Sequence, residues 1–485
     1  MNTLTEISPQ LPDGYIQSRR IILKFREEVV RYEDEADLEE EAEKYIYKYG
    51  LLPWERLTEA FPGISVKRLY TSLSGAEIRK MSEEARKLDP DYKPIDFLTF
   101  FVVDVPEDSD LEEAVRMLQS WDLLEYAYVA SPAGPGPAQP QTVNQHFGRQ
   151  TYLQAAANGG INAIRAWEEA GGTGQLVQFA DLEKGWRLNH PDLFPAGQGA
   201  TTIQALRAVP VFVTEESHGT NVLGILVAQD NGQGCVGIAR DATAYTLSMF
   251  DTNSAIPNLA DAIALAQNRL NVGDVLLIEA QLIKQLNAPI EIADGDQRKQ
   301  WLVPVEFDDH IRARILEAST KLVIIEAAGN GNMNLDDVTD SLGRFLHRPE
   351  HADKDTGAIL VAAGGQWIGG RYQREQSSNY GSRIDCHAQG SGVTTTHYRP
   401  DAPVSSLVLS YLHIFARTSA AAAIIAGVAV LVQSMKKAQT ISQTPLSPAQ
   451  VRMILRDPNN GTPSVNQNDG IGTMPDLEKI IRNGF

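Results

Sequence analysis

Cysteine is scarce in this chain of 485 residues, which contains only Cys235 and Cys386. Two cysteines in separate segments make neither a disulfide framework nor a zinc site, so we interpret both as small buried residues suited to a reducing compartment. The N-terminus also lacks the basic segment and apolar run of a secretory signal. The predicted location of the protein is therefore cytoplasmic.

Long apolar runs and a surplus of basic residues are missing as well. The longest apolar stretch, residues 420–432, is too short and too rich in alanine to span a bilayer, and it is predicted to be a buried helix. Acidic residues outnumber basic residues by 62 to 43, which gives a net charge of −19. Because such a chain repels a phosphate backbone, nucleic acid is not an expected partner, and no membrane association is predicted.

The composition divides the chain into three parts. Residues 14–131 mix strands and helices in an order typical of a small α+β sandwich. Residues 132–150 are rich in Pro, Gly and Gln and are interpreted as an exposed linker that is easily cut. In residues 151–485, short and nearly continuous apolar runs alternate with helical segments, which predicts an α/β domain with a doubly wound, mostly parallel sheet.

Two polar side chains stand at the ends of predicted core elements. Asp181 follows a buried strand, where the active-site residues of open α/β sheets gather, and a carboxylate there can orient a histidine. His218 begins an apolar helix and can face a cleft while its helix is anchored in the core. Taken singly, Asp181 can also be interpreted as a turn aspartate and His218 as a capping histidine.

An amide and a hydroxyl complete the set. Asn330 lies in a Gly-Asn-Gly turn after a buried strand, where its side chain can donate to an oxyanion. Ser419 opens a long helix of small residues, whose N-terminal amides favour negative charge. The simpler interpretations are an Asn-Gly turn and an N-cap serine. Together the four residues supply an acid, a base, an oxyanion donor and a nucleophile.

The order Asp, His, Asn, Ser resembles that of the subtilisin-like serine peptidases, the subtilases of the S8 family. SHGTNVLGILVA is similar to the family's histidine segment, EAAGNG to its oxyanion segment and TSAAAAIIAGVAVLVQ to its serine segment, while QSSNYGSRIDCHAQG resembles the segment before the serine. DLEKGW departs from the commonest aspartate segment, in which a small residue and Gly follow the Asp directly. It resembles a bacterial branch with D-[IL]-E-x-G-W. The resemblance extends from about residue 160 to the C-terminus.

The resemblance implies a subtilisin-like fold and a role for each residue. Ser419 is the expected nucleophile, His218 the base, Asp181 the acid that orients it, and Asn330 the oxyanion donor together with the Ser419 amide. The expected substrate-binding edge strand carries Glu279, Ala280 and Gln281 where the family usually has Ser and Gly. A carboxylate near the pocket suggests basic P1 or P4 side chains in a protein or peptide substrate.

The same resemblance implies that residues 14–131 are a ferredoxin-like inhibitory propeptide whose tail lies in the substrate groove. The alternative is a separate N-terminal interaction domain. No cofactor and no metal are predicted. The polar residues Asn332, Asn334, Asp336 and Asp337 are calcium-type ligands, but their spacing is not that of a recognisable calcium loop.

Arg417 is the serious departure from the family pattern, because the serine segment normally has Gly at that position. Glycine allows backbone angles and close approaches that arginine does not. Two functions therefore remain open from the sequence. One is a cytoplasmic serine endopeptidase made as a self-inhibited precursor, and the other is a pseudoprotease that binds peptide or protein segments without cleaving them. A third possibility is an active enzyme gated by a partner that relieves the N-terminal domain, which the sequence does not separate from self-processing.

Overall fold

The structure is a computed structural model. It describes residues 19–30, 42–50, 54–130, 133–134, 146–193, 203–210, 216–232, 234–251, 256–283, 302–340, 355–398 and 411–485. Residues 14–18 and most of the predicted linker lie outside the described residues.

The N-terminal part is an α+β unit with one antiparallel sheet. Its elements are β1 (Arg20–Phe25), α1 (Ala42–Tyr49), α2 (Trp54–Ala60), β2 (Ser65–Arg68), α3 (Gly75–Leu88), β3 (Phe100–Asp104), α4 (Leu111–Gln119) and β4 (Leu124–Val129). The strand order β2-β3-β1-β4 is that of a ferredoxin-like sandwich. Phe97–Thr99, directly before β3, forms a 3₁₀ turn, because the Asp96 carboxylate accepts the Leu98 amide at 3.0 Å and caps it.

This sheet buries both of its faces. Ile21 and Leu23 of β1 pack against the unit's own helices, including Tyr45 and Ala114. Ile22, between them, points to the opposite face, as the two-residue period of a strand requires. That face packs in a second apolar cluster with alanines of the C-terminal part, namely Ala260, Ala264 and Ala313.

The C-terminal part contains the remaining helices and strands of the described chain. They are β5 (Ala133–Gly134), α5 (Ala163–Ala166), β6 (Gln178–Glu183), β7 (Ile203–Arg207), α6 (Ser217–Val227), β8 (Thr243–Ser248), α7 (Leu259–Arg269), β9 (Val275–Ile278), β10 (Gln281–Ile283), β11 (Leu302–Pro304), α8 (Asp309–Ala318), β12 (Val323–Ala327), β13 (Ile359–Ile368), β14 (Arg371–Arg374), β15 (Cys386–Gln389), β16 (Val393–Thr396), β17 (Tyr411–Phe415), α9 (Arg417–Ala438), α10 (Pro448–Arg456), β18 (Gly461–Pro463), β19 (Thr473–Pro475) and α11 (Leu477–Asn483).

A mostly parallel sheet forms the centre of this part. Its strand order is β18-β19-β15-β13-β12-β9-β6-β8-β7, with β14 added to β13, and only β14 and β18 run antiparallel to their neighbours. One face packs against α6 and α9 and the other against α7 and α8, so both faces are covered. The prediction of an α/β fold with a doubly wound, mostly parallel sheet is confirmed.

Helix α9 is the central core helix. By length and composition it is apolar enough to cross a membrane, but its whole apolar window is buried inside the protein. The predicted buried helix at residues 420–432 is thus confirmed. Cys235 and Cys386 are also buried, and neither forms a disulfide.

Strands β6, β9 and β12 lie side by side and run parallel, so their carboxyl ends meet at one edge of the sheet. Glu183 ends β6, Glu279 follows β9, and Asn330 follows β12 by three residues. Next to this edge, β10 pairs on one side with β11 and on the other with the short strand β5. Polar side chains are therefore concentrated at this edge of the sheet.

Candidate active site

His218 is the second residue of α6 and is almost completely buried. Its Nδ1 atom contacts both carboxylate oxygens of Glu183, at 2.9 Å to Oε1 and 3.0 Å to Oε2. Glu183 is fully buried as well. A carboxylate on Nδ1 fixes the tautomer of the ring, so Nε2 is left to accept a proton.

Asp181 has a different neighbour. Its Oδ2 accepts a hydrogen bond from Trp186 Nε1 at 2.7 Å, and within the described residues its Oδ1 has no hydrogen-bond partner. Burial raises the pKa of Asp181 well above its usual range, the neighbouring Glu183 carboxylate adds to the shift, and the Trp186 hydrogen bond opposes it. The expectation that Asp181 holds His218 is corrected, because the structure places Glu183 there.

The geometry of a strand explains the correction. Asp181 and Glu183 are two residues apart on β6, so both side chains point to the face that packs against α6 and α9. Glu183 lies about 6–7 Å further along the strand, at the edge where α6 begins. The sequence signal for it is Glu183-Lys184-Gly185, since an acid followed by one residue and Gly is the family's commonest spacing.

Gly219 lets the histidine helix approach this strand end. A Cβ atom at Gly219 would lie 2.5 Å from the Gly185 carbonyl oxygen and 2.6 Å from Trp186 Nε1. Any side chain would push α6 away from the turn that follows Glu183. The short His218–Glu183 contact therefore depends on glycine at this position.

Ser419 is the third residue of α9 and is 5% exposed. The strand before this helix ends at Phe415, whose ring packs edge-on against His218 with centroids 5.3 Å apart. The serine segment and the histidine are thus neighbours in the fold. Arg417 lies between Phe415 and Ser419 in the chain. It has φ 72°, a left-handed conformation that glycine adopts most easily. Its amide donates to the Gly390 carbonyl at 2.7 Å. The chain keeps the glycine-type turn with an arginine in it.

Glu279 is a third buried carboxyl group at the site. Burial raises its pKa well above the usual range, the Glu183 and Asp181 carboxylates add to the shift, and the Ser419 hydroxyl opposes it. Neither of its oxygens has a hydrogen bond of standard geometry within the described chain. A raised pKa favours the neutral acid, so the structure does not support Glu279 as a charge that attracts basic substrate side chains.

The oxyanion candidate Asn330 is held on two sides. Its Oδ1 accepts the Thr418 amide at 3.1 Å and the Thr418 hydroxyl at 2.9 Å. Its Nδ2 donates to Gln281 Oε1 at 3.1 Å. Sequence reasoning did not find this contact of Gln281. Ala280, expected beside Gln281 at the substrate, instead packs its side chain into the core next to α7 and α8.

The polar residues weighed as calcium ligands accept hydrogen bonds from other groups of the protein. The Asn334 side chain accepts the main-chain amide of Asp336 and so caps a short turn. The Asp336 carboxylate accepts hydrogen bonds from the amide and the hydroxyl of Ser382. Among the described ranges, no group of three His, Cys, Asp or Glu side chains is placed to hold a metal ion.

A buried carboxylate–histidine pair beside a helix-opening serine and an amide donor, at the carboxyl edge of a parallel sheet, is an arrangement that serine hydrolases use. Residues 189–472 match the model of the subtilase family, peptidase S8. Because this match covers more than half of the chain, the protein belongs to the subtilase family.

Individual relatives agree. A probable subtilase-type serine protease of Deinococcus radiodurans is 33% identical over 130 residues, which are 23% of this chain and 17% of that protein. A thermostable alkaline protease of Halalkalibacterium halodurans is 26% identical over 273 residues, 56% of this chain and 60% of that protein. Fervidolysin from Fervidobacterium pennivorans, a keratinolytic enzyme related to subtilisin, shares the fold with a TM-score of 0.54 at 15% identity, over 97% of this chain and 61% of that structure. Each match spans less than two thirds of the relative.

Replacing Arg417 with glycine should stabilise the fold. A left-handed conformation costs a residue with a Cβ atom about 1 kcal/mol or more, and glycine avoids that cost. We expect the free energy of unfolding of Arg417→Gly to rise by about 1 kcal/mol in denaturant titrations of the Ser419→Ala protein. The same exchange at the exposed helical residue Arg116 should lower it by about 1 kcal/mol. Equal effects of the two exchanges would contradict this account.

The buried Glu279 predicts a pH effect on stability. Since its pKa is raised in the folded state, the folded protein binds the proton more tightly than the unfolded chain, and stability falls as pH rises above the ordinary carboxyl range. Glu279→Gln should reduce that fall by up to about 1.4 kcal/mol per pH unit, measured by denaturant titration between about pH 5 and 8. The exposed Glu112→Gln serves as the control. A slope unchanged in Glu279→Gln would argue against the raised pKa.

Proposed function

We propose that this protein is a serine endopeptidase that hydrolyses peptide bonds in proteins, with Glu183, His218 and Ser419 as its catalytic triad. The observation that carries the proposal is the buried Glu183–His218 contact next to the serine segment of a subtilase. Glu183 takes the role first expected of Asp181. The same carboxylate belongs to the D-L-E-x-G-W motif, which marks the proposed bacterial branch of the family.

In the proposed reaction, Ser419 Oγ attacks the carbonyl carbon of the scissile peptide. His218 Nε2 takes the serine proton, and Glu183 stabilises the imidazolium through Nδ1. Asn330 Nδ2 and the Ser419 amide donate to the oxyanion of the tetrahedral intermediate. His218 then passes its proton to the leaving amine, and water hydrolyses the acyl-enzyme by the same steps in reverse.

Glu183 and Asp181 are separable by mutation. Glu183→Gln leaves the ring without a carboxylate on Nδ1, so we expect the rate of acylation of Ser419 by a fluorophosphonate probe to fall by about 10³–10⁴. Asp181→Asn keeps an oxygen that can accept from Trp186 and should lose less than about tenfold. The proposed triad is refuted if the two variants exchange these results.

The N-terminal unit is proposed to be an inhibitory propeptide, and its contacts with α7 support this. The buried Asp261 of α7 accepts the amides of Thr71 and Ser72 at 2.7 and 2.9 Å. Asp261 also pairs with the buried Arg207 at 3.0 Å. A carboxylate satisfied in this way ties the loop after β2 to the start of α7.

Further polar contacts join the unit to α8. Tyr126 and Tyr128 of β4 donate their hydroxyls to Asp309 and Asp308 at the start of that helix. In the middle of that helix, the fully buried Arg314 lies over the Phe97 ring at 3.5 Å from the centroid. With the shared apolar cluster, these contacts make a wide interface that favours a resident inhibitor over an independent domain.

The short strand that follows the N-terminal unit supports the same proposal. Strand β5 pairs antiparallel with β10, so that Gly134 lies opposite Gln281 and Ala133 opposite Leu282. Extended peptides bind sheet edges in this manner. Because the pairing is antiparallel, Gly134 is the end of β5 that lies nearer to Glu279 in the register. The bond to be cut in self-processing is therefore expected after Gly134.

The pseudoprotease alternative depended on Arg417 displacing the serine segment. Arg417 adopts the left-handed backbone that glycine would take, so the turn before Ser419 is retained. This conformation, together with the Glu183–His218 pair, favours the active enzyme.

Self-processing gives a direct test of the precursor. We expect intact mass measurements on the purified wild-type protein to show a cut between residues 134 and 148, and none in Ser419→Ala. Ser434→Ala, a buried serine further along the same helix, should be cut like wild type. A wild-type protein that is labelled at Ser419 but stays uncut would contradict the propeptide, and one that is neither labelled nor cut would contradict the peptidase.

A further inference from the structure

Gln281 makes a specific contact with the proposed oxyanion donor. It is the first residue of β10 and is 2% exposed. Its Oε1 accepts two hydrogen bonds from Asn330, from the main-chain N at 2.9 Å and from Nδ2 at 3.1 Å. Since a main-chain amide only donates, the first bond fixes which end of the glutamine faces Asn330.

The orientation of the Asn330 side chain is fixed by the same reasoning. Its Oδ1 receives the main-chain amide of Thr418, which again only donates. The Thr418 hydroxyl donates a second hydrogen bond to Asn330 Oδ1 and so holds the oxygen end of the carboxamide more firmly. The Asn330 carboxamide is therefore held at its oxygen by the serine segment and at its nitrogen by β10.

The two hydrogens of Asn330 Nδ2 then have different surroundings. One lies on the Cβ side of the amide and points back towards the main chain, and the other lies beside Oδ1. An acceptor that also binds the main-chain N of Asn330 must take the hydrogen on the Cβ side. The second hydrogen is left beside Oδ1, which is bound to Thr418, the residue before Ser419.

We propose that Gln281 is a positioning residue for the oxyanion donor, which holds Asn330 so that its free Nδ2 hydrogen points to the serine segment. This inference rests on the proposed function. The hydrogen bonds that the described residues make with the Gln281 side chain all go to Asn330, and its Nε2 has no acceptor among them.

The same residue joins substrate binding to the oxyanion donor. Its main chain pairs with Gly134 of β5, the position where an extended peptide lies along the groove. Its side chain meanwhile holds Asn330. A peptide that pairs with β10 therefore also holds the strand whose Gln281 side chain positions Asn330. Correct binding of the substrate is in this way linked to stabilisation of the oxyanion.

The test removes the acceptor from Gln281 without altering the strand. For Gln281→Leu we expect the maximal rate of inactivation by a fluorophosphonate to fall about tenfold, less than the 10²–10³ lost when a donor is removed. The inactivation constant KI should change little, since the probe's binding does not require the side chain. Gln281→Ala removes the same acceptor without adding bulk and carries the test if the leucine variant does not fold.

A double-mutant cycle separates positioning from a general packing role. In an Asn330→Ala background, Gln281→Leu should cause no further loss of rate, because there is no donor left to hold. Gln433→Leu is a matched control, because that buried glutamine also accepts a main-chain amide, from Leu446 at 2.9 Å, but lies far along α9. The control should lose stability and keep its rate.

Three results would overturn the inference. They are an unchanged rate in Gln281→Leu, a loss that adds to that of Asn330→Ala, and a rise in rate, which would mean that Gln281 obstructs the donor. Each of these leaves the proposed peptidase in place, since wild type is labelled in all three. A wild-type protein that no fluorophosphonate labels would overturn both proposals.

Discussion

The contact between Glu183 and His218 is the interaction on which the site depends. Both groups are buried, so their attraction is weakly screened and the imidazole is held in one orientation. The contact exists because a parallel strand ends where a helix begins, and because Gly219 lets the two elements meet. Two further carboxyl groups, Asp181 and Glu279, lie nearby with raised pKa values and favour the neutral form.

The sequence was sufficient for the fold class, since the apolar runs of β6, β9, β12 and β13 are too continuous for a sheet with one exposed face. The sequence was insufficient to identify the carboxylate that contacts His218. Asp181 and Glu183 share a face of β6, and only the position where the strand ends decides which of them reaches His218. Likewise Phe97–Thr99 reads as part of an apolar strand, but the Asp96 side chain competes for its first amides and turns the chain.

Contacts distant in sequence were the other limit. Gln281 and Asn330 lie 49 residues apart, and their hydrogen bonds follow from the placement of β10 beside the carboxyl end of β12. The composition of the chain does not predict such a placement. Arg417 shows the opposite case, where the residue type argued against the family turn and the backbone adopted it anyway. A substitution that looks disruptive in a motif is tolerated when neighbours such as Gly390 hold the chain in place.

The two-sided burial of the N-terminal sheet has a consequence for what happens after a cut. One of its faces, with Ile22, Phe100 and Val102, packs in a cluster with side chains of its own unit and with small alanine side chains of the larger domain. A fragment that dissociates would expose this apolar surface to water, where it attracts chaperones and degrading enzymes. If the chain is cut as proposed, removal of the fragment would make the release irreversible.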